Sequence, residues 1–310
     1  MVAEILAELK PVPGEIVVDC TLGYGGHAQE LWAAVQPDGH LIGLDVDPLE
    51  LPRTEARLRE RGLPESTLTL RRSNFAGLSK VLAEVAPAGA NVILADLGVS
   101  SMQIDNPVRG FTFKADGPLD MRMNPRRGLP ARELLTRTNP RELAHIFADY
   151  GDEPHAEFLA EKLSTQHVLA PFTTTRELAD AIRQLAALFS RCDATQTELT
   201  VRRLFQALRI AVNDELGALE ALLRQLPEAL CPGGRVAILS FHSGEDRRVK
   251  QHFKAGLREG IYSQVSSLMQ AGPRERRENP RSISAKLRVA VRANPPVREE
   301  EGRLFSQPSA

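Results

Sequence analysis

Four short apolar runs, at residues 16–20, 40–44, 68–72 and 91–95, alternate with helical patterns at 29–35, 55–61 and 78–85. Strands that are buried on both faces read as continuous apolar runs. Their alternation with helices implies a parallel sheet covered on both sides, an α/β fold. Three of the runs end at a carboxylate, Asp19, Asp45 and Asp96, and the third run ends near Asn74 and Phe75. Such a sheet binds ligands at the carboxyl ends of its strands, so these positions are the first candidates for a site.

The alternation then stops. From about Asp105 the chain is punctuated by Gly, Pro and Asn, and from Ala131 to Leu204 helical patterns dominate. The triplets Thr138-Asn139-Pro140 and Thr173-Thr174-Thr175 place polar caps or Pro ahead of helical runs. After this stretch, Phe205, Leu208, Val212, Leu216, Leu219, Leu223 and Leu226 recur at steps of three and four, as one apolar helix face. Cys231-Pro232-Gly233-Gly234 predicts the end of that helix, 235–241 a fifth strand, 283–291 a last strand, and 261–266 a weaker one. The expected division is 1–104 for the first part of a sheet domain, 105–204 for an inserted all-helical domain with its connecting loop, and 205–310 for the second part with a polar tail after Asn294. The tail's composition predicts disorder.

The hydrophobic fraction of 42% is enough for a sizeable core. Lys and Arg number 39 against 40 Asp and Glu, a net charge of −1, so bulk charge does not mark a nucleic-acid binder and any such surface must be local. Cys20, Cys192 and Cys231 are far apart and show no zinc spacing, which predicts reduced thiols, no metal and a cytoplasmic setting. The first residues lack the pattern of a secretory signal, and no apolar run is long enough to span a bilayer, so no membrane association is expected.

Gly23-Tyr24-Gly25-Gly26-His27-Ala28 follows the first strand and opens a helix, and fits G-x-G-x-x-A, with Asp45 placed where a ribose-binding acid would stand. Taken alone, the loop suits NAD as well as S-adenosylmethionine. Asp19 and Asp96 separate the two, because neighbouring strand-end carboxylates would repel a pyrophosphate but suit an ammonium and a sulfonium. Asn74 and Phe75 would flank an adenine.

Eight segments together resemble one family: DCTLGYGGH (19–27), GLDVDP (43–48), DLGVSSMQ (96–103), RGFTF (109–113), DGPLDMRM (116–123), FQALRI (205–210), SFHS (240–243) and NPRS (279–282). They resemble the bacterial 16S ribosomal RNA cytosine-N(4)-methyltransferases, the MraW family, from about residue 11 to residue 292. The resemblance implies a Rossmann-like, S-adenosylmethionine-dependent methyltransferase sheet interrupted by an all-helical domain. It also implies transfer to a cytosine amine of 16S ribosomal RNA near the decoding centre. On matched positions it implies a cofactor site of Gly25, Gly26, His27, Asp45, Phe75, Asp96 and Gln103, to which Asp19 is added from the strand-end reading.

A cytosine amine is a poor nucleophile, so an enzyme must align it with the methyl group and accept its proton. Asp96 stands at the right strand end for this, or for holding the cofactor. His242 and Asp120 are the further catalytic candidates. His242 ends the fifth strand, and Asp120 lies with Asp116 and Arg122 in a loop that reads as a lid or as a connector. The competing reading of His242 is that it braces a turn, with Ser243 and Asp246 as a capping box. For RNA, Phe241 would stack a base. Arg122, Arg276, Arg277, Arg281 and Lys286 are the phosphate candidates, within basic runs that also hold Arg274 and Arg288. The rival functions are an NAD-dependent dehydrogenase and an RNA-binding assembly factor without catalysis. The sequence leaves open whether the substrate is RNA or the small ribosomal subunit, and whether the protein is a monomer or a homodimer.

Overall fold

The computed structural model describes residues 1–189 and 193–295. Helix α1 (Val2–Leu9) precedes a run of β1 (Ile16–Asp19), α2 (Gly26–Val35), β2 (His40–Asp45), α3 (Leu51–Glu60), β3 (Leu68–Arg72), α4 (Leu78–Val85) and β4 (Ala90–Asp96). A short α5 (Ser101–Asp105) leads into five helices, α6 (Ala131–Arg137), α7 (Pro140–Gly151), α8 (Ala156–Leu169), α9 (Thr175–Ala186) and α10 (Ala194–Asn213). The chain returns through α11 (Glu215–Ala229), β5 (Leu230–Ser240), α12 (Ser243–Arg258), β6 (Tyr262–Val265), β7 (Met269–Gln270), α13 (Pro273–Glu278) and β8 (Lys286–Arg292).

The strands form one sheet in the order β3-β2-β1-β4-β5-β8-β6, with β7 paired to β8. The first five are parallel; β8 pairs antiparallel with β5, and β6 pairs antiparallel with β8 at the edge. Crossovers lead from β1 through β2 to β3 on one side and then return to β4 on the other, so the winding reverses between β1 and β4. This is a doubly wound sheet covered on both faces, as the apolar runs predict, and Rossmann-like, as the resemblance implies.

Side chains alternate between two cores. Val18, Ile42, Ile93 and Ala95 face α4, α11 and α12, whereas Val17, Leu41, Val92 and Leu94 face α1, α2 and α3. Both faces are therefore buried, which is why these strands read as unbroken apolar runs. A third core is built mainly from the helical segment, with Leu143, Phe147, Leu159, Leu163, Leu178, Ile182 and Leu204, and takes in Leu119 and Met121 from the loop before it. Truncating one of these fully buried leucines to Ala would cost about 2–5 kcal/mol. Asn139 and Thr174 cap α7 and α9 through the N–H groups of Glu142 and Glu177, at the two starts marked by the sequence.

Three expectations change. The apolar face read as one helix over 205–226 is two helices, because Asp214 takes a left-handed φ of 48° between α10 and α11. Asp tolerates that conformation better than most residues. Phe205 and Leu208 therefore pack in the helical core, and Leu219 and Leu223 against the sheet. The helix does end just before Cys231-Pro232-Gly233-Gly234, at Ala229, but the fifth strand starts at Leu230 instead of Arg235; the register jumps from Ala90↔Leu230 to Val92↔Arg235, so these four residues bulge from the ladder. The last strand starts at Lys286, behind a 3-10 turn at Pro280–Ser284. Cys20 is buried and free and Cys231 is free; Cys192 and the tail from residue 296 lie outside the described residues. No helix among the described residues is long and apolar enough to cross a membrane.

Candidate active site

At the reversal point the carboxyl ends of β1, β2, β4 and β5 open into a cleft of about 790 Å³. The loop after β1 enters it through two glycines with positive φ, Gly23 at 48° and Gly25 at 85°. A Cβ on Gly25 would come within 3.0 Å of Thr54 Cγ2, whereas one on Gly26 would meet open space. Gly26 lines the cleft, so its bare face leaves room for a ligand against the start of α2. Asp45 braces the loop: its Oδ2 accepts from the Gly23 N–H at 2.8 Å and its Oδ1 from the Asp47 N–H at 2.8 Å. Beyond β3, Asn74 accepts from the Ala76 N–H at 2.8 Å and sets the turn that brings a half-buried Phe75 to the cleft wall.

The electrostatics are those of a cation site. Asp19 is only 1% exposed and accepts from the Thr21 N–H at 3.0 Å. Burial pushes its pKa up to about 6; His27 pulls the other way, and the charges of Asp96 and Asp45 add to the rise. Burial opposes protonation of His27, yet the carboxylates of Asp96 and Asp19 lift it above its ordinary value. His27 Nε2 lies 3.5 Å from Asp96 Oδ2. The backbone of Asp96 is anchored by its N–H to Thr21 Oγ1 at 2.7 Å. Asp96 Oδ1 is buried and has no hydrogen-bond partner among the described residues. A buried acceptor without a donor costs about 1–3 kcal/mol, so this oxygen awaits a ligand that brings an N–H.

Gln103 also lines the cleft, as expected, but most of its amide is already used. It accepts from the Ser100 N–H at 3.0 Å in a capping box for α5 and donates to Asp47 Oδ2 at 2.9 Å. Asp47 is fully buried and takes Arg109 Nη1 at 2.7 Å on the same oxygen. Arg109 in turn donates to the carbonyls of Arg122 at 3.0 Å and Met123 at 2.8 Å. Asp47 and Arg109 stand inside motifs quoted above but received no role, because periodicity marks neither and they meet only in the fold.

This network straps residues 121–123 across the inner end of the cleft. Asn213 completes the hold, its Oδ1 accepting from the Met123 N–H at 2.7 Å and its Nδ2 donating to the Met121 carbonyl at 2.8 Å. Met121 takes a positive φ of 63°, local strain that the surrounding bonds maintain. Met123, Arg209, Glu215, Phe241 and Glu245 line this end. Glu215 grips Arg209 Nε and Nη2 at 2.8 and 2.9 Å. Glu245 accepts from the Phe241 N–H at 2.9 Å; burial would raise its pKa, but His242, that N–H and Arg209 hold it below the ordinary value. Arg209, Glu215 and Glu245 escaped the sequence reading because they sit on helix faces indistinguishable from core-facing ones.

Several nominated residues lie elsewhere. Asp19, Asp120 and His242 do not line the cleft; Asp19 is buried just behind Cys20 and Thr21, which do. Asp120 forms a two-pronged pair with Arg122, at 2.8 and 2.7 Å, which occupies both groups. His242 is buried, with Nε2 3.3 Å from Glu245 Oε1 but too poorly aligned to satisfy it. The capping box is absent, since Ser243 bonds Asp152 and Asp246 pairs with Arg288 at 2.6 Å. Arg281 borders the cleft and pairs with Asp105, Arg277 is exposed on α13, Arg276 donates to Gln270 at 3.4 Å, and Lys286 opens β8 opposite Ser240.

The sequence model of the MraW methylase family matches residues 1–293. The chain is 43% identical over 296 residues to ribosomal RNA small subunit methyltransferase H 1 of Lachnoclostridium phytofermentans, covering 94% of this chain and 80% of that one. It is 41% identical over 304 residues to ribosomal RNA small subunit methyltransferase H of Heliobacterium modesticaldum, covering 93% and 95%. Among solved structures, an rRNA methylase from Streptococcus thermophilus aligns over 94% of this chain and 93% of its own, at 13% identity and a TM-score of 0.42, too distant a likeness to bear on function.

Proposed function

The chain belongs to the MraW methylase family, and from that premise we propose that it transfers a methyl group from S-adenosylmethionine to the N(4) amine of a cytosine in 16S ribosomal RNA, near the decoding centre. Neither a dehydrogenase nor a non-catalytic assembly factor has support among the relatives.

The residues present fit the cofactor: three strand-end carboxylates suit its two cationic groups, and the bare face of Gly26 leaves it space. When bound, it supplies an electrophilic methyl group on a sulfonium. Asp19, Gly25, Gly26 and His27 would hold its amino-acid end, Asp45 its ribose, Phe75 its adenine, with Gln103 closing the wall.

The observation that carries the chemistry is the unpartnered, buried Asp96 Oδ1. In this reading it accepts a hydrogen bond from the cytosine amine, which raises electron density on nitrogen, and takes the proton that the methylated nitrogen sheds. His27 Nε2 stands 3.5 Å from the other oxygen. Asp120 and His242, nominated as catalytic from sequence, take supporting roles: Asp120 holds Arg122, and His242 sits against Glu245. Phe241 flanks the base, and Arg276, Arg277, Arg281 and Lys286 offer charge to phosphates. We assign 1–104, 105–213 and 214–310 as the domain division, since α10 runs unbroken to Asn213. The assembled small subunit, in the cytoplasm, is the substrate in this reading.

The test is methyl transfer from tritiated S-adenosylmethionine to unmethylated small subunits, with the product nucleoside identified by mass spectrometry. N(4)-methylcytidine at one position is expected; methylation at another atom, or none, contradicts the reading.

A further inference from the structure

We propose that Arg209 reads the acceptor edge of the target base and so makes the cleft select cytosine over uracil. This rests on the function proposed above.

A guanidinium carries five N–H donors in a fixed fork. Glu215, only 8% exposed, takes the Nε and Nη2 side of the Arg209 fork at 2.8 and 2.9 Å, which fixes its plane. No partner for Nη1 exists among the described residues, and Arg209 lines the cleft. Glu245 adds negative charge nearby and keeps the cation favourable there. Among the groups of the residues that line the cleft, Arg209 Nη1 is a donor without an acceptor and Asp96 Oδ1 a buried acceptor without a donor; Glu50 Oε2 is a second buried acceptor without one. Met123 and Phe241 also line the cleft and add apolar surface to it.

Arg209 Nη1 and Asp96 Oδ1, taken together, match one pyrimidine. Cytosine offers an amine donor at N4 and acceptors at N3 and O2, whereas uracil offers an acceptor at O4 and a donor at N3. With cytosine, Asp96 receives the amine and Arg209 donates to N3 or O2. With uracil, a carboxylate would face a carbonyl and a guanidinium would face an N–H. A base drawn out of its stack is commonly read in this way, by hydrogen bonds on its pairing edge with apolar walls on its faces.

Arg209 therefore acts in recognition, in the ground state as in the transition state, so its loss raises KM for the RNA more than it lowers kcat. The test measures binding of unmethylated small subunits that carry cytosine or uracil at the modified position. The proteins are the wild type, Arg209→Lys, which keeps the charge but loses the fork, and Arg209→Gln combined with Glu215→Gln, which removes the guanidinium together with the carboxylate that grips it. Thermal unfolding and cofactor calorimetry run alongside. The wild type is expected to prefer the cytosine particle by roughly 10- to 100-fold, the range for a hydrogen bond to a charged group. Both variants should bind cofactor as the wild type does and lose most of that preference. Variants with intact unfolding and cofactor affinity that keep the preference overturn the assignment of Arg209. A wild type that methylates no ribosomal RNA overturns instead the function on which it rests.

Discussion

Arg109 and Asp47, 62 residues apart in the chain, meet at 2.7 Å in the protein interior and tie the strap over the cleft to the residues that follow β2. Removing one partner strands the other as an uncompensated buried charge. Arg109→Met should therefore destabilise the protein by about 3–5 kcal/mol, and Arg109→Met with Asp47→Leu should recover much of that loss. Denaturant unfolding of the two single variants and the double variant measures it. Additive losses would show that the pair does not act as a unit.

Cofactor affinity should rise with pH around Asp19's titration. This carboxyl ionises at about 6 instead of 3.8, because burial penalises its charge. Below that pH it is neutral and gives an ammonium no counter-charge; above it the attraction is full. His27, whose pKa is raised, adds a positive charge when protonated and acts in the same direction. Stability of the free protein follows the opposite sign. A carboxyl with a raised folded pKa binds its proton more tightly when folded, so its contribution falls as pH rises from 3.8 towards 6. Calorimetric titration from pH 5 to 8 should show the step in the wild type and a much smaller one in Asp19→Asn; superimposable curves would remove Asp19 from the site.

Adjacent glycines should separate folding from binding. Gly25→Ala forces a Cβ into a left-handed conformation against Thr54 and should cost about 1–2 kcal/mol of stability. Gly26→Ala meets no neighbour and sits in the first turn of α2, so it should leave stability unchanged or raise it by up to about 1 kcal/mol. It should nevertheless weaken cofactor binding by calorimetry. Wild-type affinity in Gly26→Ala would mean that the ligand does not approach that face.

The sheet was legible because buried parallel strands write themselves as apolar runs with an acid at the end, and a ligand-facing loop writes itself in glycines. Asp45, Phe75 and Asp96 reach one cleft for that reason, and Asp19 lies buried behind its wall at Cys20 and Thr21. What escaped depends on distant meetings. Nothing local to Arg209 or Glu245 separates a cleft-facing helix position from a core-facing one. Nothing in the motif holding Asp120 and Arg122 announces that they satisfy each other. The helix break at Asp214 was hidden because the apolar periodicity carries on through it with a change of partner core.

The central claim is that Asp96 Oδ1 accepts the amine, and Asp96→Asn tests it most directly. The substitution keeps size and shape, so the fold should hold. The measurement is the single-turnover rate of methyl transfer to unmethylated small subunits at saturating cofactor. A loss of about 10²- to 10⁴-fold, with the cofactor still bound, is the expected result for removing a proton acceptor. A rate within about threefold of the wild type, far short of that range, would contradict the mechanism.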